Sequence, residues 1–167
     1  MKKLSIQYVT ADNFRDFGQV ITIPTEGSLV PTTESEFHKF YGGLGFMTLR
    51  EVMEFGVCTF KKRDLIVNQM EQHAQTQELL FAIDGDFIMP VAPILTQNGE
   101  AFPGTGKIIA IRVHQGEGVI FNHGIWHWAP FPLKETSSVI VGFEKDTAHN
   151  DITIRDLEEK IIMVGEG

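Results

Sequence analysis

The chain has one cysteine in 167 residues, so it forms no internal disulfide. That absence fits a reducing compartment and predicts a cytoplasmic protein. No run approaches the roughly 18 consecutive apolar residues of a membrane span. Lys2 and Lys3 are followed by no apolar stretch of the kind that drives secretion. Basic charge is also scarce. Lysine and arginine number 14 against 22 acidic residues, a net charge of −8. That balance opposes nucleic acid and anionic membranes as partners and leaves a small molecule as the expected one. The only basic cluster, Lys61-Lys62-Arg63, reads as a solvated loop or as an anion-facing edge of a pocket. No long amphipathic helix exists, which disfavours an alternating βαβ fold. Internal repeats and low-complexity segments are absent too.

Short strands fill the chain instead. Sixteen glycines and seven prolines are spread along it and leave segments of strand length between them. Leu4, Ile6 and Tyr8 alternate, as do residues 65–70. Residues 79–83, 87–91, 107–113, 119–122 and 139–143 are short and rich in β-branched or aromatic side chains. Two stretches look helical. Thr10 to Gly18 has an N-cap in Thr10, a terminal glycine in Gly18, and Phe14 and Phe17 on one face. Thr153 to Lys160 reads as a terminal helical turn or as strand followed by turn. Residues 26–35 read as a surface loop. The whole predicts one all-β domain over residues 1–167, a sandwich or barrel with one or two short peripheral helices. Phe14, Phe17, Phe81 and Phe87 are expected in its core. Cys58, within Phe55-Gly-Val-Cys-Thr-Phe60, is expected there as a small buried hydrophobe. His38, His114 and His149 are expected at the surface.

Two polar islands stand out. The first, residues 71–78, reads EQHAQTQE. Glu71 and His73 are two apart, so on a strand they share a face. Glu78 follows after room for a tight turn and opens the next strand. The three converge as ligands, or else Glu71 and His73 are a hydrogen-bonded pair and Glu78 a surface charge. The second island, Gly116 to His127, holds His123 and His127 beside Trp126 and Trp128. A hydrophobic wall around an imidazole excludes water, and neutral imidazole is the commonest metal ligand.

Together the islands resemble the two motifs of the cupin superfamily. The first runs roughly His-x-His, three or four residues, Glu, six residues, Gly. Here it is Glu71-x-His73, four residues, Glu78, six residues, Gly85, with Glu71 in place of the first His. The second runs roughly Gly, five residues, Pro-x-Gly, two residues, His. Here it is Gly116, five residues, Asn122-x-Gly124, two residues, His127, with Asn122 in place of Pro. The resemblance implies a double-stranded β-helix, the jelly-roll barrel of cupins.

Within that superfamily the chain resembles the ureidoglycolate lyase family nearly end to end. The resemblance rests on Phe14-Arg-Asp-Phe17-Gly18-Gln-Val20-Ile21, on residues 71–82, on Val91-Ala92-Pro93 and on residues 116–127. Glu144-Lys145 and Asn150 match the family's late positions. The departures fall around the expected site. Glu78 stands where these lyases usually have Gln, Ala74 where they have Pro, and Glu144-Lys145 where they have an Asp-Arg pair. Lysine does not supply the bidentate fork of arginine.

The resemblance implies an enzyme that splits ureidoglycolate into glyoxylate and urea in ureide breakdown, a carbon–nitrogen lyase. A base would take the hydroxyl proton and a donor would protonate the departing nitrogen. Glu71, His73, Glu78 and His127 would surround a divalent metal, with Mn, Fe(II), Ni and Zn all compatible with mixed oxygen and nitrogen donors. His123 would be a further ligand or the general base, and Glu71 is a second candidate for proton transfer. Lys145 or Lys61 would pair with the substrate carboxylate, while Trp126, Phe121 and Phe131 would wall the pocket. A homodimer closed through strand edges is expected. Other metal-dependent cupin chemistry (isomerase, dioxygenase or decarboxylase) and a non-catalytic binding module remain open alternatives.

Overall fold

A computed structural model describes residues 1–165. Its strands are β1 (Lys2–Tyr8), β2 (Gly18–Ile21), β3 (Thr33–Glu34), β4 (Lys39–Phe40), β5 (Met53–Lys61), β6 (Ile66–Gln72), β7 (Glu78–Ala82) and β8 (Phe87–Ala92). They continue with β9 (Ile94–Gln97), β10 (Glu100–Pro103), β11 (Ile109–Val113), β12 (Gly118–Phe121), β13 (Trp126–His127), β14 (Phe131–Pro132), β15 (Thr136–Glu144) and β16 (Thr153–Val164). Two single-turn helices, α1 (Ala11–Phe14) and α2 (Thr147–Asn150), lie outside the sheets. The all-β expectation holds.

Two sheets make the barrel. One runs β2-β12-β7-β15-β5. The other runs β11-β1-β16-β6-β13-β8-β14, and β11 also pairs with β8, so its strands close into a ring. The core between the sheets takes Leu80, Val119, Phe121 and Val139 from the first and Phe87, Met89, Val91 and Ile111 from the second. A second apolar cluster fills the ring itself, with Ile88, Ala92, Ala110, Trp126, Phe131 and Ile161. β8 therefore buries both faces, which explains its unbroken apolar run. Burial of each large aliphatic or aromatic side chain here contributes about 1.5–3 kcal/mol.

Several local expectations change. The helix at Thr10 is only one turn. Thr10 and Asn13 form a reciprocal capping box, but the chain turns into β2 at Gly18 rather than ending a helix there. Gly18 has φ 156°, and a Cβ would overlap the Ile120 carbonyl of the paired strand. Phe14 and Phe17 do pack together in the core, ring centroids 5.8 Å apart. Residues 153–160 are strand, continuous with β16 through a bulge after Asp156. Lys107 ends a 3₁₀ turn before β11. The loop at 26–35 contains β3, which pairs with β4.

Phe81 is not core. β7 alternates, so Glu78, Leu80 and Ala82 point inward while Leu79 and Phe81 sit on the outer face. Cys58 is exposed rather than buried. It lies on β5, an edge strand whose inner face borders a cavity instead of packed core. His38 and His149 are at the surface. His114 is half-buried, accepted at 2.8 Å by Asp86 and stacked on Tyr8. The Asp86 carboxyl is held below its usual range: hydrogen bonds from Gln115, Arg112 and His114 outweigh the upward push of burial. No helix among the described residues is long and apolar enough to cross a membrane.

A candidate metal centre

Four strands bring the first and second islands together. β6 carries Glu71 and delivers His73 one residue past its end; β7 opens with Glu78. β13 pairs with β6 in a register that sets His127 opposite Glu71. β12 pairs with β7 so that Phe121 is opposite Glu78. Gly124, at φ 72°, turns the chain between β12 and β13 and donates its N–H to His73 O at 2.7 Å. A side chain at Gly124 would be strained in that conformation and would press on Ile94.

EQHAQTQE is therefore a pinned turn, not a solvated one. Asp151 accepts the N–H groups of Ala74 and Gln75 at 3.0 and 2.8 Å. Thr76 Oγ1 accepts Glu144 N–H, and Gln77 Oε1 accepts Thr48 N–H.

His73, Glu78 and His127 each offer one ligand atom, all within 4.8 Å of one another, and all three are buried. Both imidazoles are oriented through Nδ1. His73 Nδ1 meets Asp151 O at 2.6 Å, and His127 Nδ1 meets Ile125 O at 3.0 Å. Carbonyls only accept, so each Nδ1 carries a proton, and Nε2 of each ring is the nitrogen turned toward the centre. Glu78 Oε2 lies 2.9 Å from His127 Nε2 and 3.7 Å from His73 Nε2, yet it has no hydrogen-bond partner. A buried carboxylate oxygen facing two ring nitrogens calls for positive charge between them, from a metal ion or a proton. The donor set fits a divalent metal with oxygen and nitrogen ligands.

Without a metal, a proton takes that place. Burial works to lower the His127 pKa, but Glu78 and then Glu71 outweigh it and raise it. Burial likewise works to raise Glu78, and His127 and His73 bring it down below the usual range. Glu71 behaves differently. Its Oε1 is 3.9 Å from His127 Nε2 and its side chain stays partly open to solvent. Burial lifts its pKa, Glu78 adds to that, and the histidines only partly offset it. Glu71 is thus the more basic carboxylate at the rim of the triad.

A cavity of about 310 Å³ opens beside these groups. Cys58, Phe60, Leu80, Val141, Phe143 and Ile152 supply much of its wall. Burial, then Glu78 and Glu71, push the Cys58 thiol pKa up, so it faces the cavity as a neutral group.

The remaining expected site residues lie elsewhere. Phe121 backs the site, stacked on His127 at 4.7 Å with rings 8° from parallel, but does not line the cavity. Trp126 is buried in the ring cluster, because neighbours on β13 point to opposite faces. Phe131 lies in the same cluster beneath the Arg63 guanidinium, 3.7 Å away. Lys61, His123 and Lys145 are exposed and line no part of the cavity. Glu144 pairs not with Lys145 but with Arg50, which reaches it through the side chain at 3.0 Å and the backbone N–H at 2.8 Å. Those bonds hold Glu144 below the usual carboxylate range. Arg50 and Asp151 are the residues that sequence reasoning missed. Each sits in a loop and acts on a partner distant in sequence.

The family model described as ureidoglycolate lyase matches residues 1–164. The chain belongs to the ureidoglycolate lyase family. On its closed barrel the two islands that keep the cupin motif spacing meet at the triad. No curated protein matches the chain. Among solved structures, Bacillus subtilis oxalate decarboxylase aligns at 14% identity and TM-score 0.40, over 62% of this chain and 24% of that one. A recombinant oxalate oxidase in complex with glycolate aligns at 16% and 0.45, over 60% and 45%. Procruciferin, an 11S globulin of Brassica napus, aligns at 14% and 0.41, over 63% and 22%. The chain thus spans about a quarter of the length of oxalate decarboxylase.

Proposed function

We propose that this family member is a metal-dependent lyase of the cytoplasm that cleaves ureidoglycolate to glyoxylate and urea. The observation that carries the reading is the buried His73–Glu78–His127 triad with the more basic Glu71 at its edge. His73, Glu78 and His127 would hold a divalent ion of Ni, Mn, Fe or Zn, with Glu71 as a fourth donor or as the base. Such an ion supplies Lewis acidity, lowering the pKa of a substrate hydroxyl.

The chain's own groups account for the proton. Glu71 takes the hydroxyl proton as the carbon–oxygen double bond forms and the carbon–nitrogen bond breaks. The same carboxyl group returns it to the urea nitrogen, so no net proton is consumed. Its raised pKa suits it to both halves. Asp151 and Ile125 carbonyls fix the imidazoles, and Phe121, stacked on His127, shields that ring from water.

Release of glyoxylate and urea from ureidoglycolate by the purified protein, with each metal added, tests the reading. Turnover lost in Glu71→Gln and His127→Ala supports it. A folded, metal-loaded protein that releases no urea overturns it. A second reading keeps the metal and changes the chemistry to an isomerase, dioxygenase or decarboxylase acting on a small acid. It is favoured by Glu78, which restores the general cupin ligand at a position where the lyases usually have Gln.

A further inference from the structure

One wall of the cavity belongs to β5. Gly56, Cys58 and Phe60 alternate along that strand and all line the cavity, so they share its inner face. Gly56 leaves a gap in the row. A Cβ built there would meet nothing within 4 Å. The space beside Cys58 is therefore open to a ligand instead of being filled by a side chain. Glu78 lines the same cavity, and its Oε2 has no hydrogen-bond partner although only 8% of the side chain is exposed. A buried polar atom left unpaired marks a place where a ligand or ion completes the structure.

The Cys58 thiol is free, and burial, then the charges of Glu78 and Glu71, keep it protonated. A neutral S–H is a weak donor. Outside the triad and Glu71, it is the only side-chain donor among the described lining residues, the others being aliphatic, aromatic, glycine or proline. The arginines at hand are engaged. Arg50 is held by Glu144, and Arg63 donates to the Ala129 and Pro130 carbonyls at 2.6 and 2.8 Å. A ureido group carries N–H-bearing nitrogens and one carbonyl. Glu71 can accept from a nitrogen, and the carbonyl needs a donor, because burying it unpaired is unfavourable.

We propose that Gly56 and Cys58 form the subsite for the ureido end of the substrate. Gly56 leaves the room, and the Cys58 S–H donates to the ureido carbonyl while the carboxylate end stays with the triad. This rests on the ureido substrate of the reading above and not on its cleavage.

Calorimetric titration of the Ni(II)-loaded full chain with N-carbamoylglycine tests the proposal. That probe has the carboxylate and the ureido group but lacks the hydroxyl needed for cleavage. Glycolate, which lacks the ureido group, is the control. Cys58→Ala is expected to weaken N-carbamoylglycine about tenfold, because a buried carbonyl loses its donor. Cys58→Ser restores a donor of similar size and should bind within about threefold of wild type. Gly56→Val, placed where a Cβ meets no neighbour, should fill the gap and abolish binding of the probe. Glycolate should bind all four proteins alike. The proposal is overturned if wild type does not bind the probe, if Cys58→Ala or Gly56→Val binds it undiminished, if Cys58→Ser falls as far as Cys58→Ala, or if glycolate falls in step. Urea release from ureidoglycolate by wild type is scored separately. Urea with Cys58-independent binding leaves the lyase reading standing and this one fallen; Cys58-dependent binding without urea does the reverse.

Discussion

Glu78 Oε2 and His127 Nε2 face each other at 2.9 Å inside the barrel, with the imidazole proton committed to the far side of the ring. Both groups are almost wholly shielded from water, with 8% and 3% of their side chains exposed. An arrangement of this kind is unfavourable unless a cation fills it. Glu78→Gln keeps the shape and removes the charge. It is expected to weaken metal binding by more than the roughly 100-fold that loss of an outer-shell partner causes. Competition against a chelating dye measures it, with circular dichroism to confirm the barrel.

Metal and proton compete for His127. Its pKa is raised, so metal binding displaces a proton, and affinity should fall about tenfold per pH unit below that value. The metal-free protein carries the complementary signature. The contribution of His127 is fully present below its unfolded value of about 6.5 and is lost as pH rises through the raised folded value. Glu78, depressed in the fold, contributes above about 4.3 and loses that contribution as pH falls through its folded value. Glu71, raised, runs opposite to Glu78 and adds stability only toward acid. Urea-denaturation midpoints of metal-free protein should therefore decline as pH rises, and His127→Gln should shrink that decline.

Asp151 holds the first island from both ends. Its carbonyl orients His73 and its carboxylate caps the turn at Ala74 and Gln75. Asp151→Ala should lower metal affinity about 10–100-fold, since His73 loses the turn that aims it. Asp151→Asn, which still offers one acceptor oxygen, should recover part of it.

We propose that a second copy covers the outer face of the five-stranded sheet. Phe55 and Val57 are exposed there beside Leu79, Phe81 and Ile140, and β5 pairs with only β15 among the described strands. A nine-residue open edge next to apolar side chains is a surface that folded proteins ordinarily protect. Light scattering should give twice the mass of one chain, and Val57→Lys should halve it. A monomeric wild type contradicts the proposal.

Much of this was legible in the sequence because strands with one buried face show it in their alternation. β1, β6, β7, β8, β12 and β15 all fall where short β-branched segments lie. The triad was legible because both islands keep a motif spacing. The misreadings have physical causes. Cys58 sits in an apolar run, but an edge strand beside a cavity buries little. Trp126 adjoins His127 in sequence and is therefore on the opposite face of β13. The acidic run at Glu158-Glu159 obscured β16, where the bulge breaks the alternation. Arg50 lies 94 residues from Glu144, and Asp151 lies 78 from His73. Pairings at that distance carry no local pattern.

The most direct measurement is a calorimetric titration of metal-free protein with Ni(II), Mn(II) and Zn(II). One tight site per chain, lost in His127→Ala and strongly weakened in Glu78→Gln, is the predicted result. No saturable binding by any of the three ions, in a protein whose barrel is intact, would contradict the metal centre and with it the chemistry assigned to the triad.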